Sequence, residues 1–133
     1  MNGAYHATTK GIHIQVQPVF LPEQSDPNRH LYVWAYHITV TNRSDIVWKL
    51  ASRHWEITDA NGHQQIVDGE GVVGEQPLIQ PGTSFEYASG VPLKTACGMM
   101  TGYYIMLSKE GEQLRAQIPL FSLDSPFEKR QLN

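Results

Sequence analysis

Three glycines, Gly69, Gly71 and Gly74, form a G-x-G-x-x-G pattern, and the chemistry this pattern suggests is phosphate binding. Glycine lets backbone N–H groups approach an anion closely, and Arg53, His54 and Lys94 are the basic residues best suited to join them. In a dinucleotide-binding fold the pattern leaves a strand and opens a helix. Here Pro77 and Pro81 fall where that helix would run, and proline inside a helix removes a donor and clashes with the preceding turn. The dinucleotide fold is therefore excluded. What remains is a candidate cradle for pyrophosphate or nucleotide phosphates, made by Gly69, Gly71, Val72, Val73 and Gly74 with Arg53 and His54. The plainer reading is a shaped connection between sheets, with Val72 and Val73 plugging the end of the core. Glu70 and Glu75 flank the glycines and would repel a phosphate unless a metal or a base intervened.

Other reactive side chains point to less. His6, His13, His30, His37, His54 and His63 show no pairing at the local spacing of a closed zinc site. Asp68, Glu70 and Glu75 could at most hold a phosphate-bound magnesium weakly. Cys97 is the single cysteine, with no nucleophile–base motif around it. The expectation is a protein without catalytic residues, cofactor or built metal site, and so not an enzyme.

Composition narrows the classes further. At 133 residues the chain reads as one domain able to bury roughly two-thirds of its unfolded surface. A net charge of −3 supplies no positive field to gather nucleic acid. No stretch reaches the roughly 20 apolar residues of a membrane helix, and the sequence lacks a secretory leader pattern. The expectation is a cytoplasmic protein that engages neither nucleic acid nor membrane.

The elements that would carry these residues are strands. Ile12, Ile14 and Val16 alternate with polar residues; Leu31 to Thr41 is apolar on both sides in its first half and reads as a central strand. Asn42 to Asp45 supplies turn chemistry, from which Ile46 to Leu50 would return as a hairpin arm. The apolar phase then moves from even positions (Ile46, Trp48, Leu50) to odd (Trp55, Ile57), which requires a bulge or a change of sheet between Ala51 and His54. Asn61-Gly62 predicts a two-residue hairpin with positive φ at both positions. A short strand around Phe85 and Tyr87 should end at Ser89-Gly90, leaving Val91 to Gly98 as a connection. Met99 to Leu107 follows, and then a last strand in which Leu114, Ala116, Ile118 and Leu120 share a face. The fold class is all-β, an immunoglobulin- or fibronectin type III-like sandwich of two antiparallel sheets with about seven or eight strands. The strand core should span about 11–123, with a polar start at 1–10 and a charged tail at 124–133 loosely held.

Several runs together resemble the bacterial ApaG family, also called CorD. They are Arg53-His54-Trp55 with Ile57-Thr58-Asp59 and Asn61-Gly62, then Val67-x-Gly-x-Gly-Val-Val-Gly-Glu-Gln-Pro, and Pro81-Gly82 with Phe85, Tyr87 and Ser89-Gly90. Gly98-x-Met100-x-Gly102-x-Tyr104 and Ile118-Pro119-x-Phe121-x-Leu123 complete the order. The resemblance implies a fibronectin type III-like sandwich and an association with cobalt tolerance and magnesium efflux. In eukaryotes, the similar domain attached to F-box proteins and to a DNA polymerase delta-interacting protein implies protein interaction. The aromatic content supports an unidentified protein partner or a homodimer, because an outer sheet face such as that of Leu31 to Tyr36 could be covered by another chain. A small anionic phosphate ligand at Gly69 to Gly74 is the alternative.

Overall fold

A computed structural model describes residues 4–127. Alternation of apolar and polar residues makes the chain a β-sandwich of two antiparallel sheets. One sheet has the order β1-β2-β3-β7, built from β1 (Tyr5–Thr9), β2 (Ile12–Phe20), β3 (Tyr32–Asn42) and β7 (Ser84–Leu93). The other has the order β5-β4-β8-β9, from β5 (Gln64–Glu70), β4 (Trp48–Asp59), β8 (Gly98–Leu107) and β9 (Gln113–Leu123). The two-residue β6 (Leu78–Ile79) also pairs with β4. The inward residues of both sheets interlock. Trp34, Ile38 and Val40 of β3 face Leu50 and Trp55 of β4, Met100, Tyr104 and Met106 of β8, and Ile118 and Phe121 of β9 across one core.

Several expectations are corrected. Among the described residues nine strands form where about seven or eight were expected, because the polar start contains β1, which pairs with β2 from Thr9–Ile12 to Tyr5–Val16, and the glycine-rich connection contains the short β6. Ile46 to Leu50 does not return as a hairpin arm. Asn42 is fully buried; its amide donates to the carbonyls of Ile46 and Ile79, both at 2.8 Å, and its Oδ1 accepts from Ser44. Wrapped around that side chain, the chain crosses to the other sheet. The phase change in β4 is a bulge, since the register with β8 slips between Leu50 and Ser52 while the strand continues. The hairpin after Asp59 forms, but only Gly62 has positive φ, at 84°. Gly62 N–H donates to the Asp59 carbonyl at 3.1 Å, so Ala60 and Asn61 make an ordinary turn closed by a left-handed glycine. β7 runs on past Ser89-Gly90 to Leu93. A second register slip, opposite Met100 to Gly102, puts Pro119 and Leu120 into the space of one residue, so Phe121 turns inward and Leu120 outward. The start of the tail is held: Trp34 Nε1 donates to the Asp124 carbonyl at 2.7 Å, Ser125 Oγ to that of Ala96 at 2.6 Å, and Phe127 packs beside Phe20 and Tyr32. The expectation for 128–133 lies outside the described residues.

Candidate functional site

Arg53 and His54 are neighbours on β4, and strand alternation sends their side chains to opposite faces. Arg53 reaches along the inner side toward the glycine-rich stretch. Its guanidinium lies over Gly69, where a Cβ would sit 2.7 Å from it, and its Nη1 donates to the carbonyls of Glu70 at 3.1 Å and Gly71 at 2.9 Å. The loop therefore offers oxygens to the cation and holds it.

The rest of that stretch is bonded into the bulge of β4. Gly71 N–H and the Gln76 side-chain amide both donate to the Ala51 carbonyl at 2.8 Å, and Leu50 N–H donates to Pro77. β5 and β6 thus share one edge of β4, on either side of the bulge. Gly71, at φ +60°, lies so close to the Glu75 carbonyl that any side chain would strike it. Val72 and Glu75 exchange both backbone bonds, at 2.8 and 2.9 Å, across a two-residue turn of positive φ, Val73 at 43° and Gly74 at 82°. Val72 plugs the core as expected, but Val73 does not, being 55% exposed at the tip of the turn. Gly69 and Glu70 belong to β5 and Leu78–Ile79 to β6, so the connection is shorter than its composition suggests. The N–H groups of Gly71, Val72 and Glu75 are spent on protein carbonyls. The geometry favours a shaped connection over a cradle. Lys94 stands away from it, lining a cavity of about 430 Å³ with Leu31, Ile57, Pro92 and Leu93.

His54 points to the outer face of the five-stranded sheet. The register sets Asp68, His54, Tyr103 and Gln117 in one row across β5, β4, β8 and β9. His54 Nδ1 is 2.6 Å from Asp68 Oδ1 and Nε2 is 3.0 Å from Glu56 Oε2. Both carboxylates are satisfied together only by the imidazolium, in which each ring nitrogen donates. The bond to Asp68 chiefly raises the pKa of His54 above its ordinary value; Glu56 adds to this and partial burial opposes it. The ring stacks on Tyr103 at 4.6 Å between centroids, and Arg115 covers the Tyr103 ring with its Cζ 3.9 Å from the centroid. Around this ordered centre stand exposed apolar side chains, Ile66 (48%), Met99 (47%) and Leu120 (57%). At its far end Leu78 and Leu107 open a cavity of about 410 Å³ with Val47 and Lys49.

Inside, Tyr87 and Tyr104 share a hydroxyl–hydroxyl bond of 2.5 Å, and burial raises the pKa of both. Cys97 is partly buried between β7 and β8. Among the described residues, no three His, Cys, Asp or Glu side chains gather as a metal cluster. His6 and His13, seven residues apart in sequence, meet across the β1–β2 hairpin, a contact made by register. Sequence reasoning missed Glu56, Tyr103 and Arg115, because their proximity to His54 depends on strand register rather than spacing along the chain. The signal available was alternation on two strands: His54 and Glu56 share the outward phase of β4 and Arg115 that of β9, whereas the outward phase of β8 around Tyr103 is itself largely apolar (Met99, Ile105, Leu107) and gave none.

A family model described as DUF525: ApaG domain matches residues 22–108. Protein ApaG of Bradyrhizobium diazoefficiens is 55% identical over 129 residues, covering 97% of this chain and 99% of its own, and Protein ApaG of Brucella suis is 50% identical over the same shares. The crystal structure of the putative ApaA protein from Bordetella pertussis superposes with a TM-score of 0.83 at 41% identity, covering 93% of this chain and 98% of that one. The C-terminal domain of wzt, at 9% identity and a TM-score of 0.51, covers 98% of this chain and 82% of its own and shares the fold alone.

Proposed function

The chain belongs to the ApaG family, and from that premise we propose that it is a non-enzymatic, cytoplasmic binding domain whose partner surface is the outer face of the five-stranded sheet. The observation that carries this is the exposure of Ile66, Met99 and Leu120 around the His54–Tyr103–Arg115 stack. Large apolar side chains in water beside a rigid aromatic–arginine centre are the composition of an interface core with a polar rim. The partner is a protein, either another molecule or a second copy of this chain. The family resemblance supplies the setting, cobalt tolerance and magnesium efflux.

The phosphate reading of Gly69 to Gly74 has less behind it. The N–H groups of Gly71, Val72 and Glu75 and the guanidinium of Arg53 already have protein acceptors, and Glu70 and Glu75 add negative charge.

The test is complementation. In a cobalt-sensitive strain lacking its own copy, the Ile66→Glu/Leu120→Glu chain should be as abundant as the unchanged chain and should fail to restore growth. Full restoration would remove this face from the function. Both positions are exposed, and such surface changes usually shift stability by only about 0.5 kcal/mol.

A further inference from the structure

The turn that joins β1 to β2 is a two-residue hairpin at Lys10 and Gly11, with φ of 46° and 87°. It sets Thr8 opposite His13 and His6 opposite Gln15, all on the outer face of the four-stranded sheet, so His6 and His13 are diagonal neighbours. Their side chains converge. His6 Nδ1 lies 3.1 Å from His13 Nε2, with ring centroids 5.2 Å apart and planes tilted by 33°. On the far side of the His13 ring, Thr8 Oγ1 lies 2.8 Å from Nδ1.

Two imidazole nitrogens at this separation match the bite of a metal ion. With metal–nitrogen bonds of roughly 2.0–2.1 Å, adjacent vertices of an octahedron or tetrahedron lie roughly 2.9–3.4 Å apart. Thr8 supplies the outer contact that ligating histidines ordinarily have: when its hydroxyl accepts from Nδ1–H of His13, the Nε2 lone pair faces His6. The neighbours across the strands, Gln15, Thr39 and Thr41, are uncharged, and Arg43 follows at the end of β3. Burial chiefly lowers the pKa of His13 below its ordinary value, and Arg43 and His6 contribute.

We propose that His6 and His13 form a two-nitrogen site for a borderline divalent transition metal ion such as Ni²⁺, Cu²⁺ or Zn²⁺, with water completing the coordination. Imidazole suits these ions, whereas Mg²⁺ and Ca²⁺ require oxygen. On binding, His6 carries its remaining proton on Nε2 and His13 on Nδ1 toward Thr8. With two protein ligands instead of four, the site is exchangeable.

Calorimetric titration of the untagged full chain with Ni²⁺ and Zn²⁺ tests this, read beside the ring-nitrogen NMR signals. We expect saturable one-to-one binding that His6→Ala or His13→Ala each weaken about tenfold or more, by analogy with the effects of disturbing metal-site shells. Mg²⁺ should not compete. Arg43→Gln should tighten binding by removing a repelling charge, an effect that a merely structural role for the pair would not produce. The perturbed NMR signals should be those of His6 and His13. Titration curves identical for the unchanged chain and the His6→Ala/His13→Ala double variant would overturn the proposal, as would shifts confined to His30, His37, His54 or His63. Thermal melts of each variant establish that it is folded.

Discussion

The two outer faces of the sandwich each hold an ordered histidine, and the two are kept in opposite electrical states. On the five-stranded sheet His54 sits between Asp68 and Glu56 and is stabilised as a cation; on the four-stranded sheet His13 has Thr8, His6 and Arg43 around it and is kept neutral. The backbone is the same in kind, an antiparallel ladder. The difference lies in what cross-strand register delivers, carboxylates in one case and a second imidazole with a nearby guanidinium in the other. A charged, stacked histidine is suited to a polar anchor in an interface, and two converging imidazoles are suited to donating lone pairs.

The largest expected way to break this comparison is Gly102→Ala. Its Cβ would strike the carbonyl of His54, which has nowhere to move inside the β4–β8 ladder, so the five-stranded side should lose about 3 kcal/mol or more. Urea unfolding of the variant checks the loss. Next in size, Tyr103→Ala removes the ring held between His54 and Arg115 and should cost about 1–2 kcal/mol, whereas the exposed His6→Ala on the other face should cost under about 0.5. Equal midpoints for the two variants would mean that the stack contributes nothing.

The smallest effect has the most informative sign. Because the pKa of His54 is raised, its contribution is fully present below the unfolded value of 6.5 and is lost as pH rises through the folded value. Because the pKa of His13 is lowered, its contribution is present above 6.5 and is lost as pH falls toward the folded value. His54→Gln should therefore fall short of the unchanged chain most on the acid side, and His13→Gln most on the alkaline side. Denaturant midpoints from about pH 5.5 to about pH 8.5 decide this, and parallel curves for the two variants would refute opposed charge states.

How much of this was legible depended on whether the responsible interaction was local. The even-numbered inner face of β3 and the bulge near Ala51 follow from alternation alone, since a strand cannot change phase without an extra residue. Alternation from Leu114 puts Leu120 on the inner face, since nothing in it signals that Pro119 shares a register step with Leu120. The crossing after β3 has the sequence of a hairpin because Asn42 is a turn-forming residue type, and the bonds from its buried amide to the carbonyls of Ile46 and Ile79 are a tertiary fact. Val72 was legible as core. Val73 was not separated from it, because a left-handed conformation is rare for a β-branched residue and no composition announces it. Of the candidate site, the pattern picked out Arg53 and His54 as a pair, but adjacency in sequence is opposition in a strand. The partners that give His54 its character come from β5, β8 and β9.

The strands at the two ends of the described chain also meet. Gln117 N–H of β9 donates to Thr9 Oγ1 of β1 at 3.2 Å, Tyr5 lies against Phe121, and Asp124 caps the indole of Trp34. During synthesis the first hairpin leaves the ribosome with its inner face bare and waits for β9, whose Gln117 follows Thr9 by 108 residues, to cover it. At roughly 5–20 residues per second that interval is about 5–20 seconds, in which nascent β1 and β2 expose Ile12, Ile14 and Val16 to whatever else in the cell binds an uncovered sheet.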